Sequence, residues 1–327
     1  MDRSLPLRAL VTGAGGFVGR HLCGYFLENT DWELFGTIYP QPAVIELPQA
    51  RLQLEVIDLR DPNAVQGLVR QFQPDYVFHL AAQSSVHTSF SGPWHTLENN
   101  IHAQFNVLEA LRQACCEARV VVVGSNEEYG APMPDELPQT ENSPLRPTNP
   151  YAVSKVTQDF MGLQYYLSFA LPVIRIRPFN HTGPGQSARF VVPAFASQIA
   201  AIEAGKREPV MKVGNLTAAR DFSDVRDIVR GYYLAATVGE PGEVYNLASG
   251  RPRVVRDLLD MLLSHVDVGI RIEKDPGRYR PVDVPVVYGS FDKFRQKTGW
   301  APQITFEQTL QDVLDYWRLQ VAQGLFS

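Results

Sequence analysis

Through the first half of the chain, short β-branched and apolar runs alternate with segments whose apolar positions recur every three or four residues. Residues 7–12 are the first run, and they end in a glycine-rich turn. Leu22, Tyr25, Phe26 and Leu27 then carry helical spacing, which predicts strand, glycine turn and helix in that order. Further strands are predicted at residues 32–38, 52–57, 75–80 and 119–123. The last is a near-continuous row of valines, as suits a strand covered on both faces. Asp61 as N-cap, followed by Pro62, opens a helix with Val65, Leu68 and Val69 on one face. Longer helices are predicted over 97–116, with a stripe of Ile101, Phe105, Leu108 and Leu111, and over 150–169, followed by a strand at 173–177.

That alternation predicts an α/β fold, a doubly wound parallel sheet with helices on both faces. Beyond Pro178 the pattern breaks into Gly- and Pro-rich loops, shorter helices and isolated strands. Residues 178–222 and 248–327 are read as a smaller C-terminal α/β lobe that binds substrate, with 223–247 returning to the sheet domain of residues 1–177. Prolines gather at 132–150 and 276–285, two loops placed beside the cleft. The length of 327 residues agrees, since single cores stop growing at roughly 250–300 residues.

Composition narrows the function. Hydrophobic residues at 45% with 20% charged are ordinary for a globular protein and exclude a disordered or coiled-coil chain. A net charge of −5 offers no broad basic surface for nucleic acid or anionic lipid, so an anionic ligand must be held by a few local Arg, Lys and N–H groups. The three cysteines, Cys23, Cys115 and Cys116, make neither a disulfide framework nor a four-ligand zinc site, and no metal is expected. No run of 18 apolar residues could span a membrane, and no cleavable signal precedes the first strand, so a soluble cytoplasmic protein is expected.

Gly13, Gly16 and Gly19, with Phe17 and Val18 before the last, lie between the first strand and the first helix. Such a turn lets backbone approach a pyrophosphate closely and points free helix N–H groups at it. The expectation sharpens to a Rossmann-type sheet that binds a dinucleotide. The second strand ends in Gly36, Thr37, Ile38 and Tyr39, with neither an acid for a ribose 2′-hydroxyl nor an Arg for a 2′-phosphate, so NAD(H) and NADP(H) both stay open. Arg20 is either a 2′-phosphate contact or a solvated helix residue. Asp58 and Leu59 either hold the adenine amino group or form a strand-end turn. Leu80, Ala81 and Ala82 keep the backbone slim beside the cofactor, and His79 is read as a packed strand residue.

Tyr151 and Lys155 stand four apart on one face of the helix that Pro150 starts. An ammonium there lowers the phenol from its ordinary pKa of about 10 and makes it a usable acid or base. Ser125 follows the fifth strand at the carboxyl edge, where its hydroxyl can polarise a carbonyl oxygen. The Tyr/Lys spacing alone is common. Together with the glycine turn and Ser125, each at its proper sheet position, it is a joint signal.

With these residues the chain resembles the extended short-chain dehydrogenase/reductases that act on nucleotide sugars, over essentially its whole length. Residues 12–19, 79–83, 125–130 and 151–155 carry the likeness, and 177–186, 213–216, 220–227 and 280–284 narrow it to the GDP-mannose branch. The resemblance implies Asn180, Arg220 and Arg280 on the diphosphate of a GDP-sugar, where planar Arg forks suit phosphate oxygens. It also implies a homodimer or homotetramer paired through the helices at 97–116 and 150–169, with Phe160, Tyr165 and Tyr166 as candidate interface aromatics.

Two features bear on the reaction. Dehydratases of this branch place a Glu two residues after the active-site hydroxyl to remove the C5 proton, and Glu127 stands there. They usually continue after Asn-His with Glu-Ser-Pro-Arg-Arg, whereas residues 182–186 here read Thr-Gly-Pro-Gly-Gln, a reductase-like form, and reductases also carry Glu-Glu before Tyr-Gly. The resemblance therefore implies reduction of the C4 ketone of GDP-4-dehydro-6-deoxy-mannose to a GDP-6-deoxyhexose, GDP-rhamnose. Ser125 would polarise the carbonyl, Tyr151 donate the proton, and Lys155 tune Tyr151 and hold the nicotinamide ribose. The alternatives are GDP-mannose 4,6-dehydration with Glu127 as base, a related epimerase, and a non-catalytic dinucleotide sensor. A sensor would typically lose the Tyr/Lys pair that this chain keeps.

Overall fold

A computed structural model describes residues 6–39, 51–279 and 284–325. The chain runs β1 (Arg8–Thr12), α1 (Phe17–Asn29), β2 (Glu33–Ile38), β3 (Leu52–Val56), α2 (Pro62–Phe72), β4 (Tyr76–His79), α3 (Val86–Ser91), α4 (Pro93–Gln113), β5 (Arg119–Val123), α5 (Pro150–Phe169) and β6 (Val173–Pro178). Beyond these come β7 (Asn180–Thr182), α6 (Val191–Glu203), β8 (Val210–Val213), β9 (Ala219–Asp224), α7 (Val225–Val238) and β10 (Val244–Leu247). The last elements are β11 (Pro252–Val254), α8 (Val255–Leu263), β12 (Arg271–Lys274), β13 (Val286–Val287), α9 (Asp292–Thr298) and α10 (Phe306–Ala322).

Seven parallel strands form the main sheet in the order β3-β2-β1-β4-β5-β6-β10. Strand order reverses between β1 and β4, and a crevice opens there at the carboxyl ends. Thr12 lies opposite both Thr37 and His79, so the glycine turn and the residues after β4 leave the sheet side by side. Val120, Val121 and Val122 are fully buried because helices cover both faces of β5. On one face α1 and α7 enclose Leu22, Phe26, Ile228 and Tyr232. On the other, α2, α4 and α5 enclose Val65, Leu68, Val107, Leu111 and Tyr165. Fully burying each such side chain contributes about 1.5–3 kcal/mol.

Local signals set the helix starts. The Asp61 carboxylate accepts from the Asn63 and Ala64 N–H groups, as the capping pattern predicts. Asn149 caps α5 in the same way through the Ala152 N–H at 2.8 Å. The structure differs from the sequence expectation at α4, which begins at Pro93 rather than 97, behind Gly92. The short α3 was not foreseen: its six residues are too few for a periodic signal, although Ser85 caps it by accepting from Thr88 N.

In the second lobe α6, α8 and α10 enclose Phe195, Leu258 and Leu310, with β8 and β12 paired at its edge. Strand β9 carries β11 and β13 on its flanks, and β7 pairs with it. Phe294 and Trp300, in a stretch that the sequence pattern groups with this lobe, pack instead with Tyr245 and Ile228 in the core of the main sheet. Trp300 Nε1 donates to the Asp227 carbonyl at 3.0 Å. Among the described residues no helix is long and apolar enough to cross a membrane.

Candidate active site

Thr12 ends β1 with a buried hydroxyl that accepts from the Leu80 and Ala81 N–H groups, 3.2 Å each. Its single proton is then left for His79 Nδ1 at 3.0 Å. Burial keeps that imidazole neutral, pushing it down to about 3, in keeping with a packed strand residue. Gly13 has φ +71°, and a Cβ on it would stand 3.0 Å from the Ala81 backbone. A Cβ on Gly19 would lie 2.2 Å from the Gly13 carbonyl oxygen. Helix α1 follows from Gly16 with no side-chain cap and no acid in its first turn, so its leading N–H groups face the crevice without a competing carboxylate. A slim cradle with free N–H groups fits the pyrophosphate of a dinucleotide.

Phe17 stacks on His181 with ring centroids 6.3 Å apart, and Val18 packs on the core beneath. Arg20 donates to the Gly185 carbonyl at 3.4 Å and His21 Nε2 to that of Pro184 at 2.8 Å, so both lean on the loop after β7. Asp58 forms a strand-end turn in which its carboxylate takes the Arg60 guanidinium at 2.6 and 2.9 Å, a pairing that holds it below the usual carboxylate range. Leu59 is buried and its carbonyl accepts from Asn106 Nδ2.

Ser125 caps a 3-10 turn, Asn126–Tyr129, accepting from the Glu127 N–H at 3.2 Å and bonding the Tyr151 hydroxyl. Lys155 lies one helical turn beyond Tyr151, only 4% exposed, with Nζ donating to the Val123 carbonyl at 2.8 Å. Its burial lowers it to about 8, partly offset by Glu128. The expectation that Lys155 lowers the Tyr151 phenol is not what this geometry gives. Burial dominates and pushes Tyr151 above its ordinary value, the Ser125 hydrogen bond pulls it back only in part, and the ammonium faces Val123.

A pocket opens beside Ser125. Asn126, Glu127 and Asn149 line it with Arg220, and Val86 and Phe90 of α3 face Val284 and Val287. Glu127 Oε2 accepts from Asn149 Nδ2 at 2.9 Å. The loops around 148 and 284 thus meet at this pocket. Asn180 pairs with Phe222 of β9, two residues from Arg220 on the same strand. Arg220 donates to the Ala219 carbonyl at 2.8 Å. Arg280 lies outside the described residues. Sequence reasoning missed Asn149, Asn126 and α3, for which the only signals were the Asn-Pro helix start and Ser85. It also missed Asp221, a buried carboxylate that accepts from Ser249 N and Oγ, Gly250 N and Gly289 N and so anchors the strand that carries Arg220.

A doubly wound sheet with this glycine turn and a Ser, Tyr and Lys cluster at its carboxyl edge is the build of an extended short-chain dehydrogenase/reductase. The chain belongs to the GDP-mannose 4,6-dehydratase family, which it matches over residues 10–313. It is 34% identical to GDP-6-deoxy-D-mannose reductase of Pseudomonas aeruginosa, over 97% of this chain and 99% of that one. A GDP-mannose 4,6-dehydratase of Sinorhizobium fredii is 31% identical over 77% of each chain. Among solved structures, RMD from Pseudomonas aeruginosa complexed with NADPH is 34% identical, with a TM-score of 0.86 over 96% of this chain and 99% of that one.

Proposed function

We propose that this protein reduces the C4 ketone of GDP-4-dehydro-6-deoxy-mannose to give GDP-rhamnose. The observation that carries this is the near end-to-end likeness to the Pseudomonas aeruginosa reductase, 99% of which is covered at 34% identity. A nicotinamide dinucleotide, when bound, supplies the hydride for the ketone carbon. That relative's structure holds NADPH, which makes NADPH the donor to test first. Gly13, Gly16 and Gly19 with the first turn of α1 hold the pyrophosphate; Leu80, Ala81 and Ala82 give it room, and Asp58 and Leu59 border the adenine end. Asn180, Arg220 and Arg280 take the diphosphate of the sugar nucleotide. Ser125 Oγ holds the ketone oxygen, and Tyr151 passes its proton to that oxygen as negative charge develops. Lys155, one turn along the same helix, holds the nicotinamide ribose, and the Ser125 hydrogen bond is what eases ionisation of the buried Tyr151 phenol.

Glu127 favours the second reading, 4,6-dehydration of GDP-mannose, because it faces the pocket two residues after Ser125. Against a role as base, one oxygen of its carboxylate is already engaged, Oε2 accepting from Asn149 Nδ2 at 2.9 Å. Two assays separate the readings. The 4-keto-6-deoxy sugar with NADPH should give a net loss of reduced-cofactor absorbance. GDP-mannose with oxidised cofactor should give no keto sugar, and its appearance at a comparable rate would shift the assignment to dehydration.

We further propose a homodimer through α4 and α5. Trp94 and Phe160 are 71% and 52% exposed, beside a groove of Leu97, Ile101, Phe105 and Met161. Tyr165 adds nothing to that surface, since it is buried with its hydroxyl on Glu109.

A further inference from the structure

Asp221 stands next to Arg220 on β9, only 1% exposed, and its carboxylate collects donors on both oxygens. Oδ1 accepts from Ser249 N at 2.7 Å and Ser249 Oγ at 2.6 Å. Oδ2 accepts from Gly250 N at 3.0 Å and Gly289 N at 3.3 Å. Apart from the Ser249 hydroxyl these donors are backbone N–H groups, which cannot accept a proton, so the surroundings satisfy the ionised carboxylate. Burial acts to raise its pKa, and the hydrogen bonds from Ser249, Gly289 and Gly250 act against that rise. A carboxylate is costly to bury, and only a group that accepts on both oxygens can hold Ser249 and two separate backbone donors at once.

The donors come from separate parts of the chain. Ser249 and Gly250 follow β10, an edge strand of the main sheet, whereas Gly289 follows β13 of the small sheet that contains β9. Gly289 also bridges Gln139, in the loop between the Ser125 turn and α5. A Cβ on Gly289 would stand 2.3 Å from the ring of Phe179, the residue before Asn180, so the loop packs this closely only as glycine. Successive side chains on a strand point to opposite faces, so Asp221 holds the backbone from behind Arg220. Arg220 donates to the Ala219 carbonyl at 2.8 Å and lines the pocket with Val287, its register partner on β13. The two sheets are thus joined at the residue that follows the pocket arginine.

We propose that Asp221 is a positioning residue for sugar-nucleotide binding: its carboxylate locks β9 against the ends of β10 and β13 and so aims Arg220 at the diphosphate. The role rests on the diphosphate reading of Arg220 given above. It acts on affinity for the sugar nucleotide. It leaves the chemistry at Ser125 and Tyr151, and the glycine turn that holds the dinucleotide, as they are.

Asp221→Asn tests it, because the amide keeps the shape and loses an acceptor. Whichever way the amide turns, its NH2 meets N–H donors, those of Ser249 on one side or of Gly250 and Gly289 on the other. The Kd for GDP alone, read by calorimetry, should rise about tenfold, with the Kd for NADPH within about twofold of the wild type. The sugar KM should rise in parallel while kcat stays within about threefold. Arg220→Ala should itself weaken GDP by about tenfold or more, and in that background Asp221→Asn should add less than about twofold, since the side chain it positions is gone. An unmoved GDP affinity in Asp221→Asn overturns the proposal. So does a full further loss on top of Arg220→Ala, or an equal loss of NADPH affinity, either of which makes Asp221 a structural residue only. If Asp221→Asn does not fold, Ser249→Ala takes its place, removing one bond from Oδ1 and leaving the charge. It should weaken GDP about threefold, and wild-type affinity there overturns the proposal instead. An Arg220→Ala variant that binds GDP like the wild type sinks the diphosphate reading itself, and the proposal falls with it. GDP binding needs no turnover, so it stands even if the wild type fails to reduce the keto sugar, an outcome that sinks the proposed reaction alone.

Discussion

Tyr151 is 9% exposed and its hydroxyl meets Ser125, so Tyr151→Phe removes one proton donor and almost no volume. Turnover should fall about a hundredfold or more while GDP and NADPH binding, read by fluorescence titration, changes less than about threefold. Near-normal turnover would take Tyr151 out of the chemistry. Glu127→Gln separates the two reactions at the same scale. Reduction should retain kcat within about tenfold, whereas dehydration of GDP-mannose would collapse with the loss of its base. Ser125, Tyr151 and Lys155 were legible in the sequence because helical spacing and the strand end fix where they stand. The burial of Glu128 was not, since an acid before Tyr-Gly looks the same in sequence whether it faces solvent or the sheet. Only the packing of β6 and α5 over the turn decides that.

Elements with local signals were the ones the sequence placed well. β5 is a valine run and α5 starts at Asn149-Pro150, and both have the bounds their patterns predicted. The glycine turn is legible for a different reason: each glycine removes a specific collision. Gly19→Ala puts a methyl 2.2 Å from the Gly13 carbonyl, against backbone that cannot yield cheaply. It should cost about 1–3 kcal/mol in denaturant unfolding and remove most dinucleotide affinity. A variant that binds NADPH like the wild type would place the pyrophosphate elsewhere. What stayed hidden at this scale is α3, whose Val86 and Phe90 reach the pocket from a six-residue helix.

The whole molecule closes on itself through residues far apart in sequence. β10 pairs in parallel with β6, and the segment beyond it sends Trp300 and Phe294, both fully buried, under the same sheet. Trp300→Ala should cost about 3–5 kcal/mol in urea unfolding. A loss below about 1 kcal/mol would mean that the segment is only loosely attached. Such long-range closure leaves no periodic trace, which is why the sequence pattern grouped these aromatics with the smaller lobe. At the same scale, Phe105→Glu sets a charge on the exposed face of α4. Sedimentation should then show a monomer if α4 and α5 form the dimer contact, and an unchanged dimer would move the interface elsewhere.

Asn149 holds the start of α5 with its Oδ1 and Glu127 with its Nδ2. One side chain thus serves both the registry of the helix that carries Tyr151 and the restraint on the neighbouring acid. A serine in its place would keep the cap, serine being an equally good N-cap, and would leave Glu127 without that donor. A family that divides into members that add hydrogen and members that remove water would then have a very short evolutionary step between them at this point. Asn149→Ser is expected to fold with a melting temperature near that of the wild type. Any C5 proton exchange it gains with a GDP-hexose in deuterated water would measure how short that step is.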